Sequence, residues 1–336
     1  MEPIKEPTPL VLVTSSPHMH CGLTIGKSMR EVMLALVPAI IASVYYFRMS
    51  AAIVMVTCVV SAIVFETICN KVMHKPNTVQ DGSAALTGLL LAMCLPASMP
   101  PLFAAMGSMF AIVVGKAVFG GLGCNIFNPA HIGRAILLAS FPQQMTNWVL
   151  PATAAASDAV STATPLAVMR ATEKIWQAGG AASAAKLPDL TNLFWGNVGG
   201  SLGETCVPAL VLGGLYLIYK KLIDWRIPVF YLVTVAILTG VYGTVMGYPS
   251  TFPLYHLFAG GLMIGAFFMA TDWVTSPITK KGKIIYAIGL GVLTSLIRLR
   301  GSYTEGVCYS ILMMNMVTPM IDRFVRNVSF GGGLKK

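Results

Sequence analysis

The chain has 336 residues, 55% of them hydrophobic and 11% charged, with a mean hydropathy of +0.72. A soluble domain carries about 25% charged residues, so this composition excludes a water-soluble globular protein. The formal net charge of +10 does not point to nucleic acid, because the basic residues form short clusters between apolar runs, as at Lys220-Lys221, Lys280 to Lys283 and Arg323 to Arg326. That is the pattern that orients a polytopic membrane protein.

Residues 1–28 are polar and proline-containing, and read as a cytoplasmic lead-in without a cleavable signal sequence. Apolar runs close to the ~20 residues that span a bilayer follow at 29–47, 49–68, 82–98, 101–119 and 129–141. After a connection at 142–204, rich in Ala, Ser and Thr, further runs lie at 205–219, 227–247, 254–271, 284–299 and 304–322. The fold class expected is an all-α polytopic membrane protein of roughly ten transmembrane helices. Its parts are a first transmembrane half at 29–141, an extracytoplasmic loop at 142–204, a second half at 205–323 and a cytoplasmic tail at 324–336. Only about fourteen residues separate Asp81 from Pro96, too few for a regular crossing helix, so the third span is expected to be short, broken or re-entrant. Five runs on each side of the connection suggest a 5+5 inverted repeat with a site at the repeat interface.

With the N-terminus in the cytoplasm, Lys71, Lys75, Lys220 to Arg226, Lys280 to Lys283 and Arg323 to Lys336 also fall inside. This asymmetry puts both termini in the cytoplasm and the long connection on the outer face, with Arg298 and Arg300 in a short outer loop as exceptions. The seven cysteines are odd in number and scattered, with no Cys-x-x-Cys, which argues against a disulfide framework or a four-thiolate cluster. His18-Met-His20-Cys21 is too short to hold a metal alone. His131 and His256 sit beside apolar runs and read as satisfied structural histidines rather than ligands.

Several polar stretches interrupt the apolar pattern. Gly120-Gly121-Leu-Gly123-Cys124-Asn125-Ile-Phe127-Asn128-Pro129 continues into Gly133-Arg134-Ala135. Glycines here permit non-helical backbone and close approach of a ligand, and the Asn125 and Asn128 amides offer donors and acceptors suited to the edge of an aromatic heterocycle. A turn between helices, capped by Asn, is the competing reading. Asp81 before the third run reads as a helix cap or an acid at a cavity edge. Glu66 and Asp272, each close to the end of an apolar run, are candidates for an ion path by the same reasoning. In the long connection stands Asp158-Ala-Val-Ser161-Thr162-Ala163-Thr164-Pro165-Leu166.

Taken together, these stretches resemble the RnfD/NqrB family, and in length the chain is nearer the RnfD members, which belong to Rnf complexes. The connection resembles the D-x-x-[ST]-G-A-T motif read by flavin transferases, with Thr162 where the family has Gly. The resemblance implies that Thr164 carries FMN through a phosphoester bond, which makes the chain a flavoprotein and a phosphoprotein. Asp158, Ser161 and Ala163 would be part of what the transferase reads. Gly120, Gly121, Asn125 and Asn128 would line a second site, for noncovalent riboflavin. The family's role is electron transfer between ferredoxin and NAD in the bacterial inner membrane, coupled to export of Na⁺ or H⁺. It acts beside subunits of the A, B, C, E and G types, without binding NAD itself, and implies no metal site in this chain. Two other classes remain open. Inverted 5+5 repeats also build solute channels and transporters without a cofactor, and a scaffold subunit would only dock redox partners.

Overall fold

The computed structural model describes residues 24–151, 163–177, 189–301 and 303–326, and among them the regular structure is helical. A single bridge between Pro96 and Ser201 is the extended pairing found there. Helix α1 runs Ile25–Val72 and breaks at Arg48, whose φ of 52° and ψ of −133° fit no helix. Straight, its 48 residues would rise about 72 Å, more than twice the ~30 Å hydrocarbon core. The break divides it into two arms, each of about 35 Å by the same rise. The break falls between the first two apolar runs.

The rest of the first half is α2 (Ser83–Met93), α3 (Pro101–Ile112) continuing into a π-turn at Val113–Ala117, and α4 (Pro129–Ser140). The connection carries α5 (Pro142–Met145), α6 (Pro165–Gln177) and α7 (Leu190–Trp195). The second half is α8 (Val207–Tyr219), α9 (Arg226–Met246), α10 (Phe252–Phe258), α11 (Leu262–Ile264) with a π-turn at Gly265–Met269, α12 (Lys280–Arg300) and α13 (Val307–Phe324). Proline opens α3, α4, α5 and α6 at the first position, where its missing N–H costs nothing. Helix α2 has 11 residues, as the crowding between Asp81 and Pro96 predicts. A second break separates α10 from α11, with a bend of 64°.

Helix α9 shows what surrounds the bundle. Tyr231, Val235, Thr239 and Gly243 are buried at four-residue intervals, while Val229, Val233, Ile237 and Val241 are exposed at the same interval. Both faces are apolar, so the outer one faces lipid rather than water. Among the described residues, three helices are each long and apolar enough to cross a membrane, and a fourth if the bent pair counts as one. The chain is therefore a multi-pass membrane protein. Arg298, read from sequence as an outer-loop charge, is instead buried within α12 at 3% exposure.

The first half is locked to the end of the connection and to the second half at close quarters. Leu202 N–H donates to the Leu95 carbonyl at 3.0 Å. Ser43 Oγ donates to the Leu202 carbonyl at 2.7 Å. A Cβ on Gly213 of α8 would lie 2.1 Å from the Ala35 carbonyl oxygen of α1, so only glycine lets these helices approach so closely.

Candidate functional site

At one end of the bundle both halves enclose a cavity of about 510 Å³. Glu66, Asp81, Gly120, Gly121, Asn125, Asn128 and Asp272 all line it. These positions are widely scattered in sequence, yet the fold gathers them. The volume lies in the range of roughly 300–1,000 Å³ usual for small-molecule sites.

Two ionised side chains form one wall. Glu66 lies on the buried face of α1, and the π-turn after α3 brings Lys116 against it. A π-turn adds a residue to the helical turn and re-aims the side chains it carries. Lys116 Nζ sits 2.9 Å from each Glu66 carboxylate oxygen and donates to Ser83 Oγ at 2.6 Å. Thr78 Oγ1 donates to Glu66 Oε1 at 2.7 Å. Ser83 Oγ donates in turn to Asp81 Oδ1 at 2.6 Å. Burying such a pair costs several kcal/mol per ion, and only full hydrogen bonding offsets it. Sequence reasoning missed Lys116, although a lone lysine inside the run 101–119 is itself a signal. Asp81 also accepts from Ser83 N–H at 2.8 Å, the first N–H of α2, while Gly82 takes the cap position.

The glycine stretch forms the loop across the cavity. Gly120, Gly121 and Gly123 have φ of 121°, 110° and 92°, a region that side chains disfavour. A Cβ on Gly121 or Gly123 would meet nothing within 4 Å, so the requirement there is conformational. The two asparagines differ. Asn128 caps α4, accepting from Ala130 N–H at 3.1 Å, and its amide donates to the Met269 carbonyl at 3.2 Å. Its side chain therefore straps the first half to the second π-turn. Asn125 donates to the Phe127 carbonyl at 3.1 Å, but its buried Oδ1 has no partner among the described residues. Asp272 turns back on its own loop, accepting from Thr275 Oγ1 at 3.1 Å.

Thr164 is elsewhere. It heads α6, half-buried, with Oγ1 accepting from Ala167 N–H at 3.2 Å. Ala163 beside it is exposed, while Asp158 and Ser161 lie outside the described residues. Leu166 packs with Leu193 and Ala259, and Arg170 donates to the Gly301 carbonyl at the end of α12. Glu173 lies 3.9 Å from His256 Nε2, both buried. Burial pushes the Glu173 carboxyl up to about 7, partly offset by Arg170. Helix α12 starts at the cavity end, where Lys283 pairs with Asp224 at 3.3 Å, and its 21 residues rise about 30 Å to the α6 end. The cavity and Thr164 are at opposite ends of the bundle.

The histidines depart from expectation. The rings of His131 and His256 are buried, and no nitrogen of either makes a hydrogen bond among the described residues. Among those residues no group of three or more metal-ligating side chains occurs.

Residues 12–331 match the model of the NQR2, RnfD, RnfE family. The chain is 52% identical over 322 residues to the D subunit of the proton-translocating ferredoxin:NAD(+) oxidoreductase complex of Clostridium ljungdahlii, covering 95% of this chain and 96% of that one. It is 45% identical over 322 residues to the D subunit of the Na(+)-translocating ferredoxin:NAD(+) oxidoreductase complex of Acetobacterium woodii, covering 95% of each. With the D subunit of the ion-translocating oxidoreductase complex of Stutzerimonas stutzeri the identity is 38%, over 92% of each chain. A match over nearly the whole length, joined to a helical membrane bundle that gathers the signature residues around one cavity, makes this chain a member of the NQR2, RnfD, RnfE family.

Proposed function

We propose that this chain is the flavin-carrying membrane subunit of an Rnf-type complex, passing electrons between ferredoxin and NAD while Na⁺ or H⁺ is exported. The observation that carries the reading is the placement of Thr164. Its hydroxyl heads a helix on a segment set apart from the cavity, half-exposed, where an external transferase has access. The residues fit an FMN phosphoester. A phosphate on Oγ1 would stand at the α6 N-terminus, where free backbone N–H groups and the helix dipole favour negative charge. The transferase reaction joins the threonine oxygen to the FMN phosphorus of FAD and releases AMP.

The cavity fits a second, noncovalent flavin such as riboflavin. The buried Asn125 Oδ1 needs a donor, and the ring edge of a flavin offers an N–H. Asn128 serves mainly as the strap, with both amide atoms engaged. Bound flavin supplies the electron-transfer chemistry, and the protein supplies position and field. The Glu66–Lys116 pair and Asp272 place polar and charged groups at the cavity wall, where an ion path would begin.

In this reading the chain makes ten crossings as a 5+5 repeat, with both termini cytoplasmic and Thr164 on the outer face of the bacterial inner membrane. Its partners are Rnf subunits of the A, B, C, E and G types, a flavin transferase and lipid. The two relatives named for H⁺ and for Na⁺ are similarly close, so either ion suits. Export costs about 2.3 kcal/mol per charge per 100 mV.

The test is peptide mass spectrometry on the chain made with its transferase. The peptide containing Thr164 is expected to carry the mass of FMN, and Thr164→Val to remove it. An unmodified peptide in an active complex would overturn the assignment and favour a channel or scaffold.

A further inference from the structure

The two arms of α1 leave a groove between them on the outside of the bundle. Ile40 and Val44 of the first arm, Ala52, Val56 and Val60 of the second, and Leu89 of α2 line it, and the lining is apolar throughout. The groove encloses about 450 Å³, room for one acyl chain. Val44, Val56 and Val60 are exposed while Leu89 is buried, so it opens outward over a closed floor.

Its length matches one leaflet of a bilayer. The lining begins four residues from Arg48 on each arm, at Val44 and Ala52. On the second arm it ends at Val60, about 18 Å from Arg48 at the rise of a helix. Half of the hydrocarbon core is ~15 Å. A transmembrane helix of another subunit would need a seam along the whole of an arm, and the groove stops halfway.

The Arg48 end carries the marks of a headgroup region. Tyr45 is exposed and packs edge-on against Tyr46 with ring centroids 5.3 Å apart. The Tyr46 hydroxyl donates to the carbonyl of Trp195, another exposed aromatic, at 2.9 Å. Such aromatics gather at the level of lipid headgroups. Arg48 itself is exposed, with a φ of 52°. Glycine takes this conformation freely, so an arginine stands there at a backbone cost, as happens where the side chain is used. The carboxylates that form ion pairs among the described residues, Glu31, Glu66, Glu173, Asp224 and Glu305, all pair with other cations. A guanidinium left open at the mouth of an apolar groove suits a phosphate, which it can bind through two N–H groups at once.

We propose that the groove is a binding site for one anionic phospholipid, with an acyl chain between the arms of α1 and the phosphate on Arg48. The chain fills the space that the break opens between the arms. No acidic side chain lines the groove to hold a headgroup ammonium, so phosphatidylglycerol is favoured over phosphatidylethanolamine. The site is independent of the redox reading above.

The test is photolabelling of the complex, extracted with its native subunits, by phosphatidylglycerol carrying a diazirine on one acyl chain. Peptide mass spectrometry is expected to place label on the peptides holding Val56, Val60 and Leu89 well above the outer face of α9, where Val233 and Ile237 are exposed. Excess unlabelled phosphatidylglycerol should compete it away, and phosphatidylethanolamine should not. Arg48→Gln should weaken that competition about tenfold, the scale of a hydrogen bond to a charged group, and Arg48→Lys should restore most of it. Val56→Trp fills the groove and should abolish the excess label. Both positions are exposed, so neither change removes a core side chain. Label spread evenly over the groove and α9 would overturn the proposal, as would equal competition by both lipids or indifference to Arg48→Gln. Groove residues that cross-link to another subunit in place of lipid would overturn it too.

Discussion

Lys116 and Glu66 show what a single side chain is worth in this bundle. Replacing Lys116 by Met leaves a buried carboxylate without its counter-ion, an effect of roughly 3–5 kcal/mol when one partner of a buried pair is removed. Lys116→Met should therefore melt markedly lower than wild type in detergent, and Glu66→Gln combined with it should recover most of the loss. Equal melting of the single and double variants would mean the pair is not buried as described. Asn125 and Asn128 make a sharper contrast. Asn128→Ala removes a helix cap and a strap, together about 2 kcal/mol, and should lower Tm whether or not flavin is bound. Asn125→Ala removes one weak internal bond and an acceptor that no described protein group uses, so Tm without ligand should barely move while noncovalent flavin is lost on purification. The sequence marked both asparagines alike, because their spacing says nothing about which amide the second half engages. It marked Glu66 but not its partner, since the pairing spans fifty residues and depends on a π-turn that no local pattern announces.

At the scale of elements, the apolar runs were legible because length and hydropathy suffice to place them, and even the break at Arg48 and the short α2 follow from charge and proline spacing. Helix α6 was not legible within a connection that reads as linker. Its signals are Thr164 as cap and Pro165 at the first position, and they are weak beside an Ala, Ser and Thr background. Helix α6 is held to the bundle by Leu166 packed with Leu193 and Ala259, by Arg170 at the Gly301 carbonyl, and by the buried approach of Glu173 to His256. Docking favours the protonated Glu173, whose carboxyl is raised to about 7 by burial. The sign follows: this contribution is complete below the ordinary Glu range and is lost as pH rises through about 7. Cleavage of the connection by a protease should accordingly speed up between about pH 5 and 8. Glu173→Gln, neutral throughout, should flatten that dependence and keep α6 protected at the alkaline end. A profile identical to wild type would show that Glu173 does not control docking.

The whole molecule is organised by its two ends. Residues read separately in the sequence, from Glu66 to Asp272, converge on the cavity, whereas Thr164 and the buried Arg134–Glu305 pair belong to the other half of the bundle's depth. Sequence order hides this, because α4 places Asn128 at one end and carries Arg134 towards the other within two turns. A chain that separates two polar sites by a helix as long as the hydrocarbon is thick is built to connect two aqueous sides. Cys124 provides a native reporter, since it is exposed within the glycine loop at the cavity end. With the basic clusters inside, a membrane-impermeant maleimide should label Cys124 in inverted vesicles and spare it in right-side-out ones, read by peptide mass spectrometry. The Thr164 peptide, cut by added protease, should show the opposite sidedness. Labelling of Cys124 from the outer side would invert the topology. Labelling of Cys124 and cleavage at Thr164 from one and the same side would mean that α12 does not cross the membrane, and the two-ended arrangement would then fail as a description of how this chain sits in its complex.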